Sequence, residues 1–199
     1  MKGKSGSRSG RYAIVITGTP GTGKTTVSKQ LADQIGASYL PLTQLVINKR
    51  LHEAIDRRRR TRVVDLRRTR AFLANSLSTG RKLMIIDSHV PDAIPREYVR
   101  KILVLRCHPR VLEARLRRKG WGPQKIRENV LAEILDSCYV AATSYYGPRR
   151  IAQLETSEFT VRKCVARAKR IVMKKPYRAA TVDWISVLRR EHSLGRYFR

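Results

Sequence analysis

The chain has 199 residues, long enough for one well-buried domain with small appendages. Its 43 Lys and Arg against 15 Asp and Glu give a net charge of +28, which predicts attraction to polyanions, RNA or a ribonucleoprotein first among them. A generally basic surface without such a partner is the alternative. Three widely spaced cysteines form no C-x-x-C pair, which argues against a disulfide framework or a zinc site. With no apolar run near the length of a membrane span and no signal-peptide pattern, we expect a soluble cytoplasmic protein, or a nuclear one in a eukaryote.

A phosphate-binding pattern follows the first residues. Residues 1–11 are rich in Gly, Ser, Lys and Arg and predict a flexible basic tail, and the apolar run 13–17 predicts a buried strand. Residues 18–25 (GTPGTGKT) then match G-x-x-x-x-G-K-[ST] at every fixed position, between a strand and a helix as the motif requires. Glycines let backbone N–H groups close on a polyphosphate, Lys24 can reach its β- and γ-phosphates, and the Thr25 hydroxyl suits Mg²⁺. The alternative is an ordinary glycine-rich turn with an exposed lysine.

The remaining chain alternates between predicted strands and helices. The strands are short apolar runs at 38–40, 83–87, 102–105 and 151–154. The helices show four-residue apolar spacing or capping residues and are predicted at 24–35, 43–54, 63–77, 109–119, 123–146, 157–173 and 181–192. The densely charged run 56–62 is predicted to be a loop or a solvated helix start. Alternating strands and helices predict an α/β fold, a parallel sheet with helices on both faces.

Three residues outside the loop are further candidates for the site. Asp87 closes a predicted strand, which is where a carboxylate that orders Mg²⁺ is found, although such a carboxylate can also be a helix cap or turn former. His89, two residues on, would share its face and could position a water or contact the γ-phosphate; a merely structural histidine is the alternative. Lys119 lies in a glycine-bounded break between two helices, which suits a lid cation or simply an exposed basic turn.

Taken together, GTPGTGKTT, RVVDL, IIDSH, VLRCHPRVLEARLRRKGW and IRENVLAEIL resemble adenylate kinase isoenzyme 6, the CINAP-type family. The resemblance covers about residues 12–175 and implies a P-loop NTPase fold like that of nucleoside-monophosphate kinases, a three-layer sandwich with a small lid. It implies γ-phosphate transfer from Mg-ATP to AMP, ATPase activity, and a role in small-ribosomal-subunit maturation with ribosomal protein uS11 and rRNA. By position it assigns ATP binding to Gly21, Gly23, Lys24, Thr25, Thr26 and Lys119. Mg²⁺ would be held by Thr25 and Asp87, and catalysis would involve Lys24, Asp87, His89 and Lys119.

The resemblance also divides the chain and shows where this sequence departs from the family. It implies an NMP-binding segment at about 41–60 and a lid at about 115–125. Relatives commonly carry Arg just before the lid glycine, where this chain has Lys119, and lysine lacks the planar bidentate fork of arginine. Residues 176–199 lie outside the resemblance and are basic and aromatic. We expect this extension either to dock a partner or RNA, or to pack on the core.

Overall fold

A computed structural model describes residues 12–56, 61–79, 82–173 and 181–198. Within these ranges, seven strands lie at β1 Ala13–Thr17, β2 Ser38–Pro41, β3 His52–Asp56, β4 Thr61–Val64, β5 Met84–Asp87, β6 Val99–Arg106 and β7 Ile151–Glu155. The same described residues form eight α-helices, at α1 Lys24–Ile35, α2 Leu42–Asn48, α3 Leu66–Ser78, α4 Pro109–Arg118, α5 Pro123–Ile134, α6 Ser137–Tyr146, α7 Val161–Met173 and α8 Trp184–Arg190. In these ranges, no helix has both the length and the apolar character needed to cross a membrane.

Five strands form one parallel sheet in the order β2-β5-β1-β6-β7, which confirms the predicted α/β architecture. The register pairs Ile16 of β1 with Asp87 of β5, so both strands end at the same edge of the sheet. The phosphate loop leaves β1 at this edge. The strand order therefore places the loop beside Asp87, where ligands bind in open parallel sheets.

Helices cover both faces of the sheet, because its central strands are apolar on both sides. Ala13 and Val15 of β1 pack into a core with α2, α3 and α6, whereas Ile14 and Ile16 pack on the other face with α1 and α7. Strictly alternating side chains along one fully buried strand produce this division. The result is the three-layer sandwich expected from the sequence.

A third apolar cluster joins α4 and α5 to the C-terminal segment. Leu112, Leu116 and Val130 pack there against Leu188 of α8 and against Tyr197. Leu188 is fully buried, so residues 181–198 pack on the core in this structure. The final helix is shorter than predicted, at Trp184–Arg190, and Asp183 caps it by accepting a hydrogen bond from the Ser186 N–H at 3.0 Å.

The prediction of a helix at 43–54 is wrong for the residues after Asn48. Helix α2 ends at Asn48, and the chain then forms β3, which pairs with β4 as an antiparallel hairpin. The next helix consequently begins at Leu66 instead of 63, where the Asp65 carboxylate accepts a hydrogen bond from the Arg68 N–H at 2.9 Å. Of the charged run 56–62, residues 57–60 lie outside the described residues.

Two other helix boundaries differ from those predicted. The single helix predicted at 123–146 is divided into α5 and α6, because Asp136 adopts a left-handed backbone conformation with φ of 56°. Helix α7 begins at Val161, not at Ser157; Thr160 accepts a 3.4 Å hydrogen bond from the Lys163 N–H. Ser157 instead accepts a hydrogen bond from the His108 N–H at 2.5 Å.

Candidate active site

The phosphate loop adopts the tightly turned backbone that its glycines predict. Gly18, Gly21 and Gly23 all have positive φ angles, of 141°, 96° and 97°. Two features of Gly18 exclude a side chain. Its φ angle is positive, and a Cβ atom there would lie 2.3 Å from the carbonyl oxygen of Leu105. The loop therefore forms a tight turn at the positive end of α1, which suits an anion.

Lys24 is held by the loop itself. Its Nζ donates a 3.1 Å hydrogen bond to the carbonyl oxygen of Thr19, which leaves two N–H groups of the ammonium for other acceptors. Burial lowers the pKa of Lys24, and the charge of Lys119 lowers it further, whereas the carboxylate of Asp87 acts in the opposite direction. A bound anion would offset the unfavourable desolvation of this cation.

Asp87 and Thr25 form the oxygen pair expected of a magnesium site. The Thr25 hydroxyl donates to Oδ2 of Asp87 at 2.7 Å, and the Tyr39 hydroxyl donates to the same oxygen at 3.3 Å. Burial and the neighbouring Asp87 charge raise the pKa of Tyr39 to about 12, so its hydroxyl remains a donor near neutral pH. The described residues hold no group of three His, Cys, Asp or Glu side chains suited to a metal. One carboxylate and one hydroxyl fit Mg²⁺, which usually takes its other ligands from phosphates and water.

His89 and Lys119 reach the same space as the loop. A cavity of about 1330 Å³ is lined by all eight residues that the sequence indicated: Gly21, Gly23, Lys24, Thr25, Thr26, Asp87, His89 and Lys119. Desolvation by the surrounding protein lowers the pKa of His89, and the positive charge of Lys24 lowers it further against the opposing effect of Asp87. A neutral imidazole can both accept and donate a hydrogen bond in this cavity.

The cavity extends from the loop toward α2 and toward the break between α4 and α5. Pro41, Thr43 and Gln44 line it on one side, and Trp121 lines it on the other. The segments predicted to bind the acceptor and to form the lid therefore both contribute to the cavity wall. Residues 57–60, at the end of the predicted acceptor-binding segment, lie outside the described residues.

Several side chains that support the loop were not found from the sequence. Arg115 donates to the carbonyl oxygens of Gly21 and Thr156 at 3.4 and 3.0 Å, and the Thr156 hydroxyl donates to the Thr22 carbonyl at 3.0 Å. Glu133 of α5, 2% exposed, accepts a hydrogen bond from the Thr19 hydroxyl at 2.5 Å. One sequence feature could have indicated a buried role for Glu133: it lies on the same face of its helix as apolar residues.

Sequence comparison relates the chain to a known protein family. The family model described as "AAA domain" matches residues 14–136, which include the phosphate loop, Asp87 and Lys119. The chain belongs to this family. A protein of Methanocaldococcus jannaschii is 33% identical over 171 residues, covering 86% of this chain and 92% of its own length, and a protein of Pyrococcus abyssi is 30% identical over 175 residues, covering 87% and 92%. Both are named "Putative adenylate kinase".

Solved structures show the same fold at low sequence identity. Shikimate kinase from Acinetobacter baumannii, in complex with shikimate, superposes with a TM-score of 0.55 at 20% identity, covering 83% of this chain and 95% of that one. Shikimate kinase from Bacteroides thetaiotaomicron gives a TM-score of 0.54 at 18% identity, covering 81% and 98%. The fold is thus that of P-loop kinases.

Proposed function

We propose that this protein is an adenylate kinase, which transfers the γ-phosphate of Mg-bound ATP to AMP and also hydrolyses ATP. One observation carries the proposal: Lys24, the Thr25–Asp87 pair, His89 and Lys119 line one cavity with the phosphate loop. The relatives named as adenylate kinases support the choice of acceptor. Other nucleoside monophosphates remain alternative acceptors.

The proposed roles follow from charge and position. Backbone N–H groups of the loop and the Lys24 ammonium would grip the β- and γ-phosphates, and Lys119 would approach from the break between α4 and α5. Thr25 and Asp87 would hold Mg²⁺, which when bound neutralises phosphate charge and orients the phosphate oxygens. Because an AMP phosphate is already an anion, transfer requires little help from a general base. Catalysis then consists mainly of positioning and charge neutralisation.

The proposal is tested by assaying phosphate transfer from Mg-ATP to a panel of nucleoside monophosphates. We expect two ADP molecules for each AMP consumed, and a loss of at least about a hundredfold in kcat for Lys24→Gln. Lys163→Gln, on an exposed position of α7, is the matched control and should behave like the wild type. Tight binding of ATP without transfer to any monophosphate would contradict the proposal.

We propose that His89 contributes more to hydrolysis than to transfer, because hydrolysis must orient a neutral water molecule. The same assay with His89→Ala should therefore show a larger loss of ATPase activity than of AMP phosphorylation. Equal losses of the two activities would refute this distinction.

A second candidate function is an ATP-switched assembly factor for the small ribosomal subunit that binds uS11 and rRNA, its kinase activity being incidental. The net charge of +28 favours it, as does α7, which presents Arg162, Lys163 and Arg170 at exposed positions and contains no acidic residue. Binding to small-subunit RNA with uS11 should then differ between the ATP and ADP states and weaken steeply with salt. AMP turnover far above unstimulated ATP hydrolysis, with no nucleotide-dependent binding, would favour the enzyme alone.

A further inference from the structure

A buried polar network connects the phosphate loop to the C-terminal segment, and Glu133 is its centre. Oε1 of Glu133 accepts three hydrogen bonds: from Arg106 Nε at 2.8 Å, from the Cys107 N–H at 3.0 Å and from Trp184 Nε1 at 3.0 Å. Oε2 has a single protein donor in the described part of the chain, the Thr19 hydroxyl at 2.5 Å. One carboxylate therefore joins α5, the end of β6, the first residue of α8 and the phosphate loop.

The Thr19 end of this network leads directly to the proposed catalytic lysine. Thr19 is 1% exposed, and its carbonyl oxygen accepts hydrogen bonds from Lys24 Nζ at 3.1 Å and from the Thr22 hydroxyl at 2.8 Å. The side chain of Thr19 is thus fixed by Glu133, while its carbonyl fixes Lys24. A displacement of Glu133 would move the acceptor that orients the ammonium.

The Trp184 end depends on the C-terminal segment being packed in place. Trp184 is 5% exposed and packs edge-on against His108, with ring centroids 5.2 Å apart. The Val182 carbonyl also accepts a hydrogen bond from Arg106 at 3.4 Å, so the segment contacts both members of the buried Glu133–Arg106 pair. If residues 181–198 separated from the core, Glu133 would lose one of its four donors, the Trp184 indole N–H.

We propose that Glu133 is a positioning residue: it orients the phosphate loop and Lys24 through Thr19, and the packed C-terminal segment sets its orientation through Trp184. The inference rests on the proposed nucleotide function of the cavity. Because coupling between two sites is reciprocal, bound Mg-ATP would in turn hold the C-terminal segment more firmly on the core. A buried ion pair that served stability alone would predict no such effect on nucleotide affinity.

The first test measures Mg-ATP affinity by calorimetry and thermal stability in two variants of α8. Trp184→Phe keeps a ring in place but removes the N–H donor to Glu133, and should weaken Mg-ATP binding about fivefold. Leu188→Val is the matched control, since Leu188 is buried in the same helix and forms no hydrogen bond with Glu133. It should lower thermal stability without a comparable loss of affinity. Unchanged affinity in Trp184→Phe, or affinity that follows thermal stability in both variants, would overturn the proposal.

The second test removes the other end of the connection. Thr19→Val leaves Oε2 of Glu133 without its donor and should weaken Mg-ATP binding by about tenfold or more, whereas Thr19→Ser keeps a hydroxyl and should lose much less. Equal losses in the two variants would show that the hydrogen bond to Glu133 does not matter.

A spectroscopic test uses the fact that the chain has two tryptophans, Trp121 and Trp184. In a Trp121→Phe background the fluorescence comes from Trp184, and saturating Mg-ATP should shift or quench its emission. Adding Thr19→Val should abolish that response. A Trp184 signal indifferent to Mg-ATP contradicts the coupling. If the wild type binds Mg-ATP and the Trp121→Phe protein shows the response, but the wild type phosphorylates no monophosphate, the proposed kinase function fails while the positioning role of Glu133 stands.

Discussion

At the scale of single residues, the Asp87 carboxylate decides the chemistry of the cavity. It is 8% exposed and accepts hydrogen bonds from Thr25 and Tyr39, and its negative charge favours protonated Lys24. Asp87→Asn preserves the shape but removes that charge and the preferred magnesium ligand. We expect kcat to fall by about a hundredfold or more and the Mg²⁺ concentration needed for half-maximal activity to rise.

The matched control for this change is Asp92→Asn. Asp92 follows β5 but lies outside the cavity, and its 3.9 Å contact with Arg70 is a weak, partly exposed ion pair. Activity and Mg²⁺ dependence should therefore be those of the wild type. A similar loss in both variants, or none in Asp87→Asn, would remove Asp87 from the proposed mechanism.

His89 should make the stability of the protein depend on pH. Its pKa in the folded protein is lowered by partial desolvation at the cavity wall and by the charge of Lys24, whereas an unfolded chain has the ordinary value of about 6.5. The unfolded state therefore binds the proton more readily, and the stability conferred by neutral His89 is present above about pH 6.5 and is lost as the pH falls toward the lower native value. Urea unfolding at pH 7.5, 6.5 and 5.5 should show a steeper loss for the wild type than for His89→Asn.

His192→Asn provides the control for that measurement. His192 lies outside the cavity with a positive φ of 51°, a backbone conformation that asparagine tolerates well. If stability curves for the wild type and His89→Asn run parallel across this range, the environment of His89 is not the one described.

At the scale of secondary-structure elements, the phosphate loop allows a comparison between backbone strain and steric exclusion. Gly18→Ala places a Cβ atom 2.3 Å from a backbone oxygen of β6. This backbone atom can move away only at a high cost in free energy. We expect it to lower the free energy of unfolding by about 3 kcal/mol or more. Gly36→Ala, at the left-handed end of α1 with φ of 64° and open space around it, should cost only about 1 kcal/mol. Similar losses in denaturant unfolding of the two variants would contradict the close approach of loop and strand.

The elements that the sequence predicted well are those whose signals are local. A glycine ends α1 and a proline begins α4, as their positions indicated. The division between α5 and α6 has a distant cause: Arg106 of β6 donates to the Glu133 carbonyl at 2.9 Å and to the Asp136 carboxylate. These bonds end α5 and hold the turn, and no local pattern in residues 123–146 shows that an arginine from another strand reaches them. The β3–β4 hairpin was missed because pairing between two short charged strands overrides the local helical preference.

At the scale of the whole molecule, parallel topology explains why so much of the cavity was predictable. Because the loop with Lys24 follows β1 and Asp87 is the last residue of β5 in the same parallel sheet, the fold itself brings them to the same edge. The network of Thr19, Glu133 and Trp184 has no such rule behind it, because its members meet only through the packing of α5 and the C-terminal segment. Sequence spacing thus located the groups around the proposed reaction, whereas the groups that hold them required tertiary structure.

The high net charge should lower the thermal stability of the whole protein. With a net charge of +28, like charges repel one another more strongly in the compact native state than in the expanded unfolded chain. Raising NaCl shortens the screening length from about 10 Å at 0.1 M to about 3 Å at 1 M, so the melting temperature should rise over this range.

The triple variant Arg162→Gln, Lys163→Gln and Arg170→Gln removes three exposed charges from α7. It should melt higher than the wild type at 0.1 M NaCl and gain less from added salt. The buried Glu133–Arg106 pair, at 2% exposure on each side, is screened little and should not offset the trend. A wild-type melting temperature that stays level or falls with salt would show that surface ion pairs, and not repulsion, dominate the electrostatics of this fold.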